Sequence, residues 1–199
     1  MAMTRRCFVG LIPATIVTAL AVGPIDVRQV GTAQEAERRF LRSVEEYVMQ
    51  RRQLERQLPP LRITVDVQEI HHAEEARAAA IRRTRARAQV GDIFNPGVTR
   101  LFRVRIRDAF AARGHDALEL IDEMNEDGAC WQRPVVNGRF SWRTAVATPP
   151  YVLAILPSLP GELQYRFVGP DLVLVDTVAN FIIDIVPDAL DVPLDDGVR

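Results

Sequence analysis

The sequence predicts an α+β domain: about four N-terminal helices followed by a small antiparallel β-meander. Two observations predict it. Apolar residues recur at helical spacing through residues 34–127. From Ala129 the spacing becomes dense, and the chain closes on three strand-like runs, Leu163 to Val168, Leu172 to Asp176 and Phe181 to Val186. The gaps between these runs are short and rich in turn residues, which favours hairpins over crossovers. No internal repeat is present, so the two halves form one domain over 34–190.

Before that domain the sequence carries an export signal. Arg5 and Arg6 give a positive start, Cys7 to Leu20 an apolar stretch, and Ala19-Leu20-Ala21 a small-x-small exit at which Ala19 and Ala21 suit a signal peptidase. Residues 1–21 are therefore expected to be cleaved, with membrane contact only in transit. An uncleaved segment anchoring the chain to the inner membrane is the alternative, but the run falls short of the ~20 residues of a comfortable span. Residues 22–33 are expected to be a linker.

The first helix is read from Phe40, Val44, Tyr47, Val48, Leu54 and Leu58 on one stripe, ended by Pro59-Pro60. Asp66 and Glu69 make a capping box for a second helix reaching about Ala88, acidic early and basic late, as the helix dipole favours. Its basic end, Arg82, Arg83, Arg85 and Arg87, reads as a solvated face or as an anionic docking face. Asn95 and Pro96 open a third helix that Gly114 stops. Asp116 and Glu119 open a short fourth. Arg139 to Arg143 alternates like a strand, and Thr148-Pro149-Pro150 starts one or two helical turns to Leu156. Asp191 to Arg199 is expected to be a loose acidic tail.

Composition excludes some functions. All 25 cationic residues among the 199 are Arg, so no catalytic lysine, Schiff base or lysine-type phosphate loop exists. From Val22 on, 23 Arg face 26 acids, a net charge of −3 that does not fit nucleic-acid binding. Of the two cysteines, Cys7 lies in the signal, leaving Cys130 without an internal disulfide partner. No CxxC, glycine-rich phosphate loop or Gly-x-Ser-x-Gly elbow occurs, and no cofactor site is evident.

Three groups of residues are candidates for chemistry or contact. Asp184 interrupts an apolar strand, where a carboxylate needs partners or stays protonated. With Asp176 and the turn residue Asp171 it is a candidate general acid/base or metal set, although aspartates at turn ends ordinarily cap backbone amides. His71 and Glu75, four apart on a helix, are a candidate metal pair that lacks a third ligand nearby. Pairing Val168 with Leu172 makes both sheet faces apolar and puts Arg166, Phe181 and Ile183 on one of them. Either the chain's own helices and residues 129–156 cover those faces, or one face docks a protein partner or a second copy.

Thr4-Arg5-Arg6-Cys7-Phe8-Val9 resembles a twin-arginine export signal, with Gly10 departing from the usual Lys; a general secretory signal is the alternative. Asn137-Gly138-Arg139-Phe140, the run Tyr165-Arg166-Phe167-Val168-Gly169 through Leu172 to Asp176 and Asn180, and Pro187-Asp188-Ala189-Leu190 resemble a family of exported bacterial proteins without an assigned activity. The resemblance implies export and a single domain. The function expected is a non-catalytic periplasmic binding or accessory domain. The alternative is a small hydrolase-type enzyme with Asp176 and Asp184 in its site.

Overall fold

The computed structural model describes residues 27–58, 64–114, 117, 119–121, 132–143 and 145–191. The signal residues Arg5, Arg6, Ala19 and Ala21, the thiol of Cys130 and the tail beyond Asp191 lie outside them.

Helix α1 spans Val27–Glu55. It therefore runs through the second half of the expected linker. Propagating an existing helix by one residue costs far less than nucleating it, and no proline follows Pro24 until the far end. The core begins only at Ala36 and continues through Phe40, Val44, Tyr47 and Val48. Helix α2 spans Val67–Thr84. Asp66 caps it by accepting from the Gln68 N–H at 2.8 Å, but the N–H of Asp66 itself donates to Thr64 Oγ1, not to Glu69 as a full capping box requires. The helix stops short of Ala88: Arg85 is its C-cap residue, outside helical backbone angles, and its side chain bonds to the sheet at the Ile183 carbonyl. Helix α3 spans Pro96–Arg113. Asn95 accepts from Gly97 and Val98 N–H, and Gly114 ends the helix with φ 63° in the left-handed region. Ala117 and 119–121 are helical, at the place of the expected fourth helix.

Two contacts fix α1 against α3. Asn95 Nδ2 donates to the Ala36 carbonyl at 3.0 Å, and Gly97 lies so close that an added Cβ would sit 2.8 Å from Ala36 Cβ. Phe40 stacks on Phe94 at 5.3 Å, and both meet Phe102 edge-on. These rings, with Val98, Ile106 and Phe110, make the floor on which the sheet rests.

The sheet is antiparallel with four strands in the order β1-β2-β3-β4: β1 Val146–Ala147, β2 Leu163–Val168, β3 Asp171–Asp176 and β4 Phe181–Val186. A single helical turn, Pro150–Leu153, joins β1 to β2 by way of residues 154–162. Arg139 makes one bridge, to Phe181, so the alternation at 139–143 is a contact on the sheet edge, not a strand of its own.

The register of the first hairpin differs from the expected one. Val168 pairs with Asp171, leaving a two-residue turn at Gly169-Pro170, where Gly169 has φ 55°. A one-residue slip transfers every side chain of a strand to the other face. Leu172 and Leu174 consequently join Tyr165 and Phe167 toward the helices, while Val173 and Val175 face away. In the second hairpin Val175 does pair with Ile182, but Leu174 then pairs with Asp184. Ile183 is the extra residue of a β-bulge, so Ile183 and Asp184 both turn toward the helical layer.

Both faces are covered within the chain. The helices and 151–159 cover one. The other buries Val168, Val173, Val175, Ile182 and Ile185 beneath Phe140, Val136 and Ala145. The covering segment is a strap. At one end Asn137 N–H donates to the Ile182 carbonyl, Ile182 N–H to Gly138 and Phe140 N–H to Asn180, which protects the β4 edge. At the other end β1 pairs Val146 with Phe167 along the edge of β2.

Candidate binding groove

The acids singled out in the meander are sealed. Asp176 has no exposed surface. Its Oδ1 accepts from Val178 and Ala179 N–H at 3.0 and 2.9 Å, the turn-capping expected of an aspartate at a strand end. Its Oδ2 accepts from Tyr47 Oη–H at 2.9 Å and from Arg51 Nε. Arg51 also pairs with Glu55 at 3.0 Å. Burial opposes the Arg51 charge, but Asp176, with Glu55 and Tyr47, outweighs it and raises the guanidinium pKa. Burial and the Asp176 charge together push the Tyr47 phenol well above its ordinary value. All four capacities of the carboxylate are used inside the protein.

Asp184 is equally enclosed. Oδ1 accepts from Gly91 N–H at 2.9 Å and Ile185 N–H at 2.8 Å; Oδ2 accepts from Ile93 and Phe94 N–H, both at 2.7 Å. Burial raises its pKa, and the four N–H donors pull it back. Each oxygen holding two N–H donors is the arrangement of an ionised carboxylate, because a hydroxyl would point its proton at a donor. Asp184 thus pins the loop between α2 and α3 to the sheet. Asp171 does the same at the opposite turn, accepting from Asp188 N–H at 2.8 Å. Arg166 lies on the face away from Asp184, stacked 5.5 Å from the Trp142 ring centroid.

His71 and Glu75 meet through a cation. Arg139 Nη2 lies 2.7 Å from His71 Nε2, and Nη1 lies 3.7 Å from Glu75. Among the described residues no three His, Cys, Asp or Glu side chains gather as a metal set. Phe181 and Ile183 have no exposed surface and pack into the helical core, so neither is part of a free sheet face. No helix among the described residues is long and apolar enough to cross a membrane.

The basic end of α2 is structural at two of its four positions. Arg82 Nε donates to the Asn137 carbonyl at 3.1 Å. Arg85 donates to the Ile183 carbonyl at 2.9 Å and lies 5.4 Å from the Tyr47 ring centroid, while Asn137 Nδ2 returns a bond to the Arg85 carbonyl. Asn137, at φ 66°, is the left-handed turn residue that presents these groups.

The strap leaves an open groove of about 650 Å³ between itself and α2, lined by His71, Glu74, Arg139, Phe140, Ser141, Trp142, Arg143 and Asn180. That volume is in the range of small-molecule sites. A second groove of about 350 Å³ adjoins it and shares Arg139, Phe140 and Ser141. Trp142 packs edge-on to Phe140 at 4.8 Å yet stays 49% exposed. Asn180 is 8% exposed and its buried Oδ1 accepts no hydrogen bond. An orphaned buried acceptor is rare and costly. Asp176 and Asp184 line neither groove.

Sequence reasoning missed Arg51, Asn180 and the groove. Arg51 was legible: it falls three and four residues after Val48 and Tyr47, on the apolar stripe of α1, where a charge requires a buried partner. Asn180 was not, since an Asn before a strand is an ordinary turn residue and its φ of 50° accounts for its identity. Comparison with known proteins finds no matching family model, no matching curated protein and no matching solved structure.

Proposed function

We propose that the chain is an exported, non-catalytic binding or accessory domain that meets its ligand over the strap. The supporting observation is the contrast between the acids and the groove. The acids suited to hydrolysis are enclosed, and every oxygen of Asp176 and Asp184 already has donors within the protein. A general acid or base must reach its substrate within hydrogen-bond distance, directly or through one water. The groove, in contrast, presents a half-exposed indole and an exposed Arg. Phe181 and Ile183 are turned into the core, which moves the contact from the sheet face to the strap. The sequence pattern of residues 1–21 and the resemblance to exported bacterial proteins support a periplasmic location.

The test uses chain recovered from its own cells. Fractionation with N-terminal sequencing is expected to find it in the periplasm, starting at Val22. Replacing both Arg5 and Arg6 by Lys abolishes export through the twin-arginine route and barely affects the general one. Ester, phosphoester, glycoside and peptide substrates are expected to show no turnover. Turnover that disappears in a folded Asp176→Asn or Asp184→Asn variant would overturn the reading in favour of a hydrolase.

A further inference from the structure

We infer that residues 192–199 dock in the smaller strap groove, in place of the loose tail expected from their composition. The inference stands apart from the binding-domain reading, because this contact forms or fails whether or not the domain has a ligand. Three observations carry it.

The first is where residue 192 leaves the sheet. Leu190 N–H donates to the Pro170 carbonyl at 3.1 Å, and Asp188 N–H to Asp171 at 2.8 Å. The segment therefore starts beside the Gly169-Pro170 turn, at one end of the sheet. The groove of about 350 Å³ opens at the same end. Val168 in its wall directly precedes that turn, and Arg133 on its rim lies 3.7 Å from Asp188. The second observation is reach. The groove extends to Ile182, four residues along β4 from Val186, which pairs with Leu172 beside the turn. Four strand residues cover about 13 Å. Eight extended residues span about 26 Å, enough to cross the groove.

The third is the match of chemistry. Val168, Ile182 and Phe140 form an apolar wall, and Val135 stays 67% exposed at its edge. Val192, Pro193 and Leu194 are the first residues of the segment. In extended backbone Val192 and Leu194 share one side and offer apolar surface to that wall. Pro193 favours extended backbone at the residue before it. The groove lining holds Arg133 and Arg139 and no acid. Their side chains are 64% and 45% exposed. Arg139 meets His71 at 2.7 Å, and its nearest carboxylate, on Glu75, is 3.7 Å away. Asp195 and Asp196 follow Leu194 and reach the Arg139 end; Arg199 lies three residues beyond them. Exposed charge pairs add little affinity, so apolar contact holds the segment and the arginines set its direction. Arg139, Phe140 and Ser141 belong to both grooves, so the docked segment ends at the mouth of the larger one.

Nuclear magnetic resonance of the mature chain, with labelled methyl groups, tests the assignment. Overhauser contacts are expected between the Leu194 methyls and those of Val135 and Ile182. Leu194→Asp is expected to abolish them and to leave the signals of the helical core in place. A synthetic peptide of residues 192–199 is expected to bind the Leu194→Asp chain saturably. Its affinity for the wild-type chain is expected to be at least about tenfold weaker, because a tethered segment at about millimolar effective concentration competes. Asp195→Asn together with Asp196→Asn in the peptide is expected to weaken binding about fivefold. Absence of the Leu194 contacts in the wild-type chain overturns the inference, as does equal peptide affinity for the two chains. Groove contacts from residues 122–131, or from a second copy in isotope-filtered spectra, overturn it in favour of that other occupant. None of these outcomes touches the turnover assay on which the binding-domain reading depends.

Discussion

Asp184→Asn isolates what the buried carboxylate does. The substitution preserves shape and volume and changes one oxygen into an NH₂ group. In the native protein Oδ2 accepts from Ile93 and Phe94, and Oδ1 from Gly91 and Ile185. Whichever way the amide turns, its NH₂ faces two of these N–H donors, so two bonds are lost and two buried donors are orphaned. Each unsatisfied buried donor costs about 1–3 kcal/mol, which gives a loss of about 2–6 kcal/mol in all. For a domain of this size that is a fall in Tm of about 4–24 °C. Urea unfolding measures it as a lowered midpoint at unchanged slope, and amide exchange at Ile93 and Phe94 is expected to accelerate as the α2–α3 loop detaches. A loss below about 0.5 kcal/mol with unchanged exchange would refute the claim that these four bonds fix the loop.

Other perturbations address separate contacts. Arg51→Met leaves Asp176 buried with only Tyr47 and two amides, and removing one partner of a buried ion pair is expected to cost about 3–5 kcal/mol; urea unfolding of the variant checks it. The phenols of Tyr47 and Tyr165 are both raised, chiefly by burial, the former with help from Asp176 and the latter from Glu37. A raised folded pKa means that the unfolded state gives up its proton first. Stability from these two groups is therefore complete below about pH 10 and falls above it by about 1.4 kcal/mol per pH unit for each. Tyr165→Phe should halve that alkaline slope in unfolding experiments run across the range. Gly97→Ala forces a Cβ to within 2.8 Å of Ala36 Cβ and is expected to separate α1 from α3 at a cost of about 1–3 kcal/mol, visible as a lower Tm.

The elements that the sequence announced are those whose ends carry local chemistry. Asn95, Pro96 and Gly114 bound α3, and the three strands fall within a residue of the β-branched runs. The boundaries that moved are those decided elsewhere in the chain. Helix α2 ends at Thr84, where the next residue, Arg85, bonds to Ile183, ninety-eight residues away. The two-residue strand β1 exists only because β2 offers it an edge.

The candidate residues divide in the same way. A carboxylate within Phe181 to Val186 requires compensation, and that much is legible as chemistry, since hydrogen-bond partners are obligatory for a buried charge. Which partners supply it depends on a one-residue register and a bulge, neither of which local propensity specifies. The sequence by itself determined an α+β domain with helices first and hairpins last, because helical caps, turn residues and hydrophobic period act within a few residues of one another. Only the tertiary structure decided that Asp176 and Asp184 are fastenings and that Asn180, Trp142 and Arg143 line an open groove. Those roles depend on exposure and on contacts between distant segments, which become defined only when the strap crosses the sheet.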